Sequence, residues 1–316
     1  MNRQSSPPVP QSDPSSRSGL LRYRFACFAV GCVFCLIIAG GLVTSNDAGL
    51  AVPDWPLSYG KLMPPMVGGI FYEHGHRMVA TFVGMVTVIL AFWTAAKESR
   101  RWVRRLAWLN LAAVITQGLL GGLTVLYFLP PAVSMAHASL AQAFFCITIT
   151  IAVVTGPKWV DGVEFGAEPS GLLSLALWLV GAIYIQIILG AGNRHNALGI
   201  MSHVGGATLV LILAGWLVRL SRKHAAPEVA RNSHLLAGLV LLQTILGVIT
   251  LLVKNANAAA VQPMPDRIWS ATAHVALGAL TLAGALVFAL RVGHPSQATV
   301  SAGSVQVPAR AGRDLA

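Results

Sequence analysis

The sequence predicts an all-α integral membrane protein of eight transmembrane helices, arranged as two four-helix bundles related by internal duplication. Three observations predict it. Of 316 residues, 55% are hydrophobic and only 10% charged, whereas a soluble domain carries roughly 25% charged residues. Apolar windows of about 20 residues, enough to cross a hydrocarbon layer of about 30 Å, recur eight times along the chain. Segments in the first half reappear, in register, in the second.

Taken in order, residues 1–24 read as a disordered cytoplasmic arm, because their start is rich in Pro and Ser. The first apolar run is too long, and lacks the small-residue pattern, for a cleavable signal. Apolar windows follow at 25–45, 76–96, 106–127 and 135–155, giving a first bundle over 25–156. A cytoplasmic linker is expected at 157–171. Windows at 172–190, 203–220, 234–253 and 269–291 give a second bundle over 172–292. The polar tail 293–316 is expected to be disordered. Of the 22 Lys and Arg, 17 fall on the side of the termini and five on the other: Lys61, Arg77, Arg194, Lys254 and Arg267. The positive-inside rule places both termini in the cytoplasm of a multi-pass cell-membrane protein. The net charge of +11 therefore reflects topology, with the lipid bilayer and not nucleic acid as partner. Cys27, Cys32, Cys35 and Cys146 all fall in apolar segments and read as buried small hydrophobes. They leave no loop disulfide and no Cys-based zinc site.

The duplication rests on specific matches. Gln117-Gly-Leu-Leu-Gly-Gly-Leu-Thr-Val-Leu in the third span aligns with Gln243-Thr-Ile-Leu-Gly-Val-Ile-Thr-Leu-Leu in the seventh. Ile-Ile-Ala-Gly-Gly at 37–41 aligns with Ile-Ile-Leu-Gly-Ala at 187–191. His76, His137, His203 and His274 each fall in the first turn or two of an even-numbered span. Four spans return the chain to its starting side, so the copies have parallel topology about an axis along the membrane normal. All four histidines then lie near the outer face, one pair per bundle.

Facing histidines in a four-helix bundle make a cofactor site, and haem iron accepts axial histidine within an apolar wall. The blander reading of any single histidine is a hydrogen bond between helices. A zinc or copper site is poorer, since no Cys, Asp or third His joins either pair. His224, His234 and His294 read as solvated. His195, in an outer loop, is a candidate aid to a haem propionate. His74 points about 160° from His76 on a helix and reads as a boundary residue.

One place breaks the symmetry. Glu73 lies three residues before His76, on the same helical face, and Arg77 follows it. The corresponding positions beside His203 are Ile200 and Val204. A carboxylate near the membrane edge points to function; an i,i+4 pair of Glu73 with Arg77 closing a helix end is the structural alternative. The preceding loop, with Pro53, Pro56, Pro64, Pro65 and Trp55, is stiff and aromatic and suited to lidding a pocket.

Over residues 25–291 the chain resembles the haem A synthase family. The most specific parts are Glu73-His74-Gly75-His76-Arg77, similar to the family's Glu-x-x-His-Arg, the loop Gly49-Leu-Ala-Val-Pro-Asp-Trp-Pro, and the four histidines. The resemblance implies oxidation of the C8 methyl of haem O to the formyl of haem A for terminal oxidases. It implies His76 and His137 as axial ligands of the substrate haem and Glu73 as the catalytic residue. His203 and His274 would ligate a resident haem B, and Arg77 would contact a propionate. Implied partners are haem O synthase (protohaem farnesyltransferase) as substrate donor and an electron-transfer partner; homo-oligomerisation is open. One departure is plain. Many members carry a Cys pair flanking Asp-Trp-Pro, whereas Ser58 stands near the second Cys position here and no outer loop contains Cys. A non-catalytic dihaem b-type cytochrome or a haem carrier is the alternative.

Overall fold

The computed structural model describes residues 17–160 and 171–294. The expected arm over 1–16, most of the linker (161–170) and the tail from 295 lie outside the described residues. The described chain is helical: α1 (Arg17–Ser45), α2 (Gly68–Lys97), α3 (Arg101–Leu126), α4 (Pro131–Thr155), α5 (Pro157–Val160), α6 (Leu172–Arg194), α7 (Ile200–His224), α8 (Pro227–Ala256) and α9 (Pro265–Val292). All but the four-residue α5 are long and apolar enough to cross a membrane. Among the described residues the sole extended pairing is an isolated bridge between Ser58 and Lys61.

Pro131, Pro227 and Pro265 open α4, α8 and α9, where a missing N–H costs nothing and the fixed φ suits the first turn. Apart from α6, the membrane-spanning helices start earlier than the apolar windows suggested, because polar residues near a helix start lower hydropathy without breaking helical bonding. α1 begins at Arg17, inside the expected arm, and α2 at Gly68, not near 76. His76 and His274 therefore sit in the third turn of their helices, deeper than the expected first turn or two.

Each half closes into a ring. α1 packs on α2, α2 on α3, α3 on α4 and α4 on α1; α6, α7, α8 and α9 do the same. The halves meet through α1 with α9, α4 with α6, and α4 with α9. Exchanging α1 for α6 and α4 for α9 maps this set onto itself, so the packing is compatible with duplication about a two-fold axis.

The buried core is placed unevenly along the helices. In the second half it runs through Leu175, Leu179, Val210, Leu217, Leu236, Val240, Leu282 and Phe288, all toward the end opposite the histidines. Beyond Val240, no residue of α8 is buried. Apolar packing fills one end of that bundle and leaves the histidine end loosely filled. Much of the outer helix surface is apolar, for example Phe28, Phe82, Ile89, Trp178 and Leu252, as a lipid-facing surface requires. Cys27 and Cys35 are exposed on this surface. This corrects the expectation that they are buried: an apolar span has a lipid-facing side as well as a packed one.

Candidate functional site

The four histidines occupy one repeated seat. Each imidazole lies edge-on against a glycine of the neighbouring odd-numbered span: His76 on Gly40, His137 on Gly121, His203 on Gly190 and His274 on Gly247. A Cβ on these glycines would stand 3.3, 3.2, 2.8 and 2.8 Å from the respective Cε1 atoms. At Gly190 and Gly247 that is closer than a Cβ can come, so only a bare backbone leaves room for the ring; at Gly40 and Gly121 the fit is tight.

A glutamine four residues before the glycine completes three of the seats. Gln117, Gln186 and Gln243 each donate a side-chain N–H to the backbone carbonyl of the seated histidine, at 2.8, 2.8 and 3.0 Å. In α1 the equivalent position is Leu36, so the His76 seat has no amide clamp. Gln186 belongs to a Gln-x-x-x-Gly pattern shared by α3, α6 and α8. Sequence reasoning matched Gln117 with Gln243 and passed over Gln186, although the spacing was visible.

Ring geometry brings one pair together, and charge proximity links the other two. His203 and His274 have centroids 6.2 Å apart at 87°, and His76 lies within electrostatic range of His137. Two metal–imidazole bonds of about 2 Å with ring radii near 1 Å span about 6 Å, so one metal atom fits between the second pair. The Nδ1 of His203 sits 3.2 Å from the carbonyl of Gln186, which suits an Nδ1–H donor and a basic Nε2; that Nε2 has only a long 3.5 Å contact with the Gln186 side-chain amide. The Nδ1 atoms of His76, His137 and His274 are buried without a hydrogen-bond partner. All four residues keep partial accessibility deep in the helix rings, so they border space between the helices. Among the described residues no third His, Cys, Asp or Glu joins a pair to form a metal-binding group. Two axial nitrogens, an apolar wall and no equatorial ligand fit a haem, which brings its own four nitrogens.

The first bundle is covered and the second is not. The 46–67 loop lies across the histidine end of α2 and α3. Trp55 rests on Gly122 of α3, with the would-be Cβ 2.8 Å from the indole, and Ala51 rests on Gly69 of α2. Arg77 holds the loop by its backbone: Nη1 donates to the carbonyls of Asp54 and Leu57 at 2.7 and 2.8 Å, and Nη2 to Val52 at 3.2 Å. The same Nη2 pairs with Glu73 Oε1 at 2.7 Å, while the Val52 amide donates to Oε2 at 2.8 Å. Both oxygens of the buried Glu73 are therefore engaged, and Arg77 is committed to the loop and to Glu73. The i,i+4 pair that sequence analysis offered as the structural alternative is formed.

His74 is also more than a boundary residue. It is buried, and its Nδ1 lies 2.8 Å from the Ser58 hydroxyl, so it fastens the loop near the position where the resemblance led one to look for Cys. Within the loop, the amides of Gly60 and Tyr59 bind Asp54 at 2.8 and 2.7 Å, and these bonds hold its carboxyl below the usual range. His195 ends α6; burial, then the charge of Arg194, push its imidazole below the usual value. His294 is not solvated as expected: it bonds the Trp159 carbonyl at 2.8 Å and meets that indole edge-on.

Residues 67–203 match the COX15-CtaA family model, described as cytochrome oxidase assembly protein. The matched segment runs from just before Glu73 to His203. Among curated relatives, a protein named "Heme A synthase" from Symbiobacterium thermophilum is 31% identical over 166 residues, 50% of this chain and 54% of that protein. One of the same name from Exiguobacterium sp. is 27% identical over 228 residues, covering 70% of each. Another from Caulobacter sp. is 27% identical over 342 aligned positions, covering 83% of this chain and 93% of that protein. The chain thus spans about half the length of the first of these relatives and nearly all of the last. With the paired histidines and the covered first bundle, these matches make the chain similar to cytochrome oxidase assembly proteins of the COX15-CtaA family over residues 67–203.

Proposed function

We propose that the chain is a haem A synthase, a membrane oxidoreductase that converts the C8 methyl of haem O to the formyl of haem A for terminal oxidases. The observation that carries this reading is the fourfold glycine-backed histidine seat, two per bundle, with no third metal ligand beside either pair. The substrate haem O sits between His76 and His137 in the bundle over 25–156. The bundle over 172–292 holds haem B between His203 and His274, and that haem supplies one-electron redox chemistry. The asymmetry of cover supports this division: the 46–67 loop shields only the first pair from water.

The chain's own groups then have definite tasks. The glycines and Gln117 fix the rings, and the loop with Trp55 excludes solvent. Glu73, one turn from His76 on the same face, exchanges the protons released as the methyl is oxidised. Arg77 and the Val52 amide hold its carboxylate in place. Both terminal nitrogens of Arg77 are engaged by loop carbonyls and Glu73, so holding the loop is the role assigned to it ahead of the expected propionate contact. Both termini lie in the cytoplasm of a cell-membrane protein, with the histidine end outward. Haem O synthase delivers the substrate, and a separate electron-transfer partner serves the oxidation.

The test is chemical. Co-expression with a haem O source, haem extraction and reverse-phase chromatography are expected to give a formyl haem. Recovery of haems B and O alone would overturn the enzyme in favour of a dihaem cytochrome or a carrier.

A further inference from the structure

We propose that Arg194 is a carboxylate-recognising residue of the second bundle, gripping a propionate of the haem held between His203 and His274. The inference rests on the haem reading above and deepens it. Arg194 lies four residues beyond Gly190, the glycine on which His203 rests. It is therefore on the same face of α6 and about 6 Å nearer the open end.

Its hydrogen bonding is incomplete. Nη2 donates to the Ser45 hydroxyl at 3.0 Å, and Nε is buried without a partner. Among the described residues no carboxylate pairs with it; the nearby Asp47 is 3.8 Å from Arg267 instead. Its charge nonetheless reaches His274. An enclosed guanidinium with no carboxylate in hydrogen-bond reach is incompletely compensated, and its planar fork matches a carboxylate. Both terminal nitrogens of Arg77, by contrast, are bonded to loop carbonyls or Glu73. In the duplicated alignment the α1 counterpart of Arg194 is Thr44, so this feature belongs to the second bundle alone. No long loop covers it, since α6 and α7 are joined by residues 195–199.

The test uses the full chain in detergent, stripped of haem, with His76→Ala and His137→Ala so that only the second pair binds. Absorbance titrations compare protohaem with protohaem dimethyl ester. The parent is expected to favour the diacid by about tenfold. Arg194→Gln should lose that preference while keeping its affinity for the ester, which shows that the variant is folded. Arg194→Lys, which keeps the charge but not the fork, should retain a reduced preference. Saturating oleate should leave the parent's preference intact; if oleate abolishes it, the site serves a free carboxylate and the proposal fails. An unchanged preference in both Arg194 variants, or no preference in the parent, also overturns it. His203→Ala should lose both haems. If it does not, the haem reading of this pair is wrong, a failure separable from that of Arg194.

Discussion

At the scale of single residues, the glycines under the imidazoles matter as much as the histidines. A Cβ at Gly190 or Gly247 would stand 2.8 Å from an imidazole carbon, against 3.3 Å at Gly40. Gly190→Ala and Gly247→Ala are expected to displace the second pair and cost about 1–3 kcal/mol, as overpacking does. Gly40→Ala should be milder. Haem content per protein, read optically, checks this; full occupancy in Gly247→Ala would show that the seat yields. Glu73→Gln keeps size and an oxygen for the Val52 amide but loses the carboxylate. It is expected to retain haem and cut haem A formation by about 10²-fold or more, the usual scale of acid–base assistance. Undiminished haem A would remove Glu73 from the chemistry and leave it as the loop's anchor.

At the scale of elements, the 46–67 loop is held by one side chain more than by any other. Arg77 ties the carbonyls of Val52, Asp54 and Leu57 to α2, and an ammonium cannot reach all of them from one point. Arg77→Lys should therefore speed hydrogen exchange at the Val52, Tyr59 and Gly60 amides by about tenfold, while exchange within α6 to α9 stays unchanged. Equal protection in variant and parent would show that Trp55 and the Ser58–His74 contact suffice. The Gln-x-x-x-Gly pairing acts at the same scale. Gln186→Leu leaves the seat glycine in place but removes the bond between α6 and the His203 carbonyl. It should lower thermal stability by about 1 kcal/mol, the worth of such a bond.

At the scale of the whole molecule, the two ends are held by different means. Opposite the histidines, buried Glu98 joins α1 to the α2–α3 turn: Arg22 bonds it at 2.9 Å, as does Arg100, whose Nη2 also reaches the Val154 carbonyl of α4. Burial alone would raise the Glu98 carboxyl, but hydrogen bonds from Arg100 and the charges of Arg100 and Arg22 bring it below its ordinary value. A depressed carboxyl contributes stability that is complete above its unfolded value, about 4.3. That stability is lost as pH falls through the lower folded value. Stability to thermal unfolding in detergent should thus fall as pH drops below about 4.3. Glu98→Gln should flatten that segment and, by leaving Arg22 buried and unpaired, cost about 3–5 kcal/mol at pH 7. A full pH response in the variant would assign the acid sensitivity elsewhere.

The sequence by itself determined the class, the eight spans and the residues worth watching. Apolar length and sparse charge are one-dimensional properties, and in-register Gln, Gly and His show themselves without a fold. It could not determine where the helices start, because hydropathy windows discount helical turns that carry Glu73 or His74. Nor could it say which side of α1 would face outward, and so it misplaced Cys27 and Cys35. Only the tertiary structure decided that each histidine rests on a glycine of another helix. It also showed that Arg77 is spent on a loop some 20 residues away and that Arg194 is left with an unmatched nitrogen. These are properties of contacts between distant segments. Spacing along a helix fixes which residues share a face, but only packing decides what that face meets.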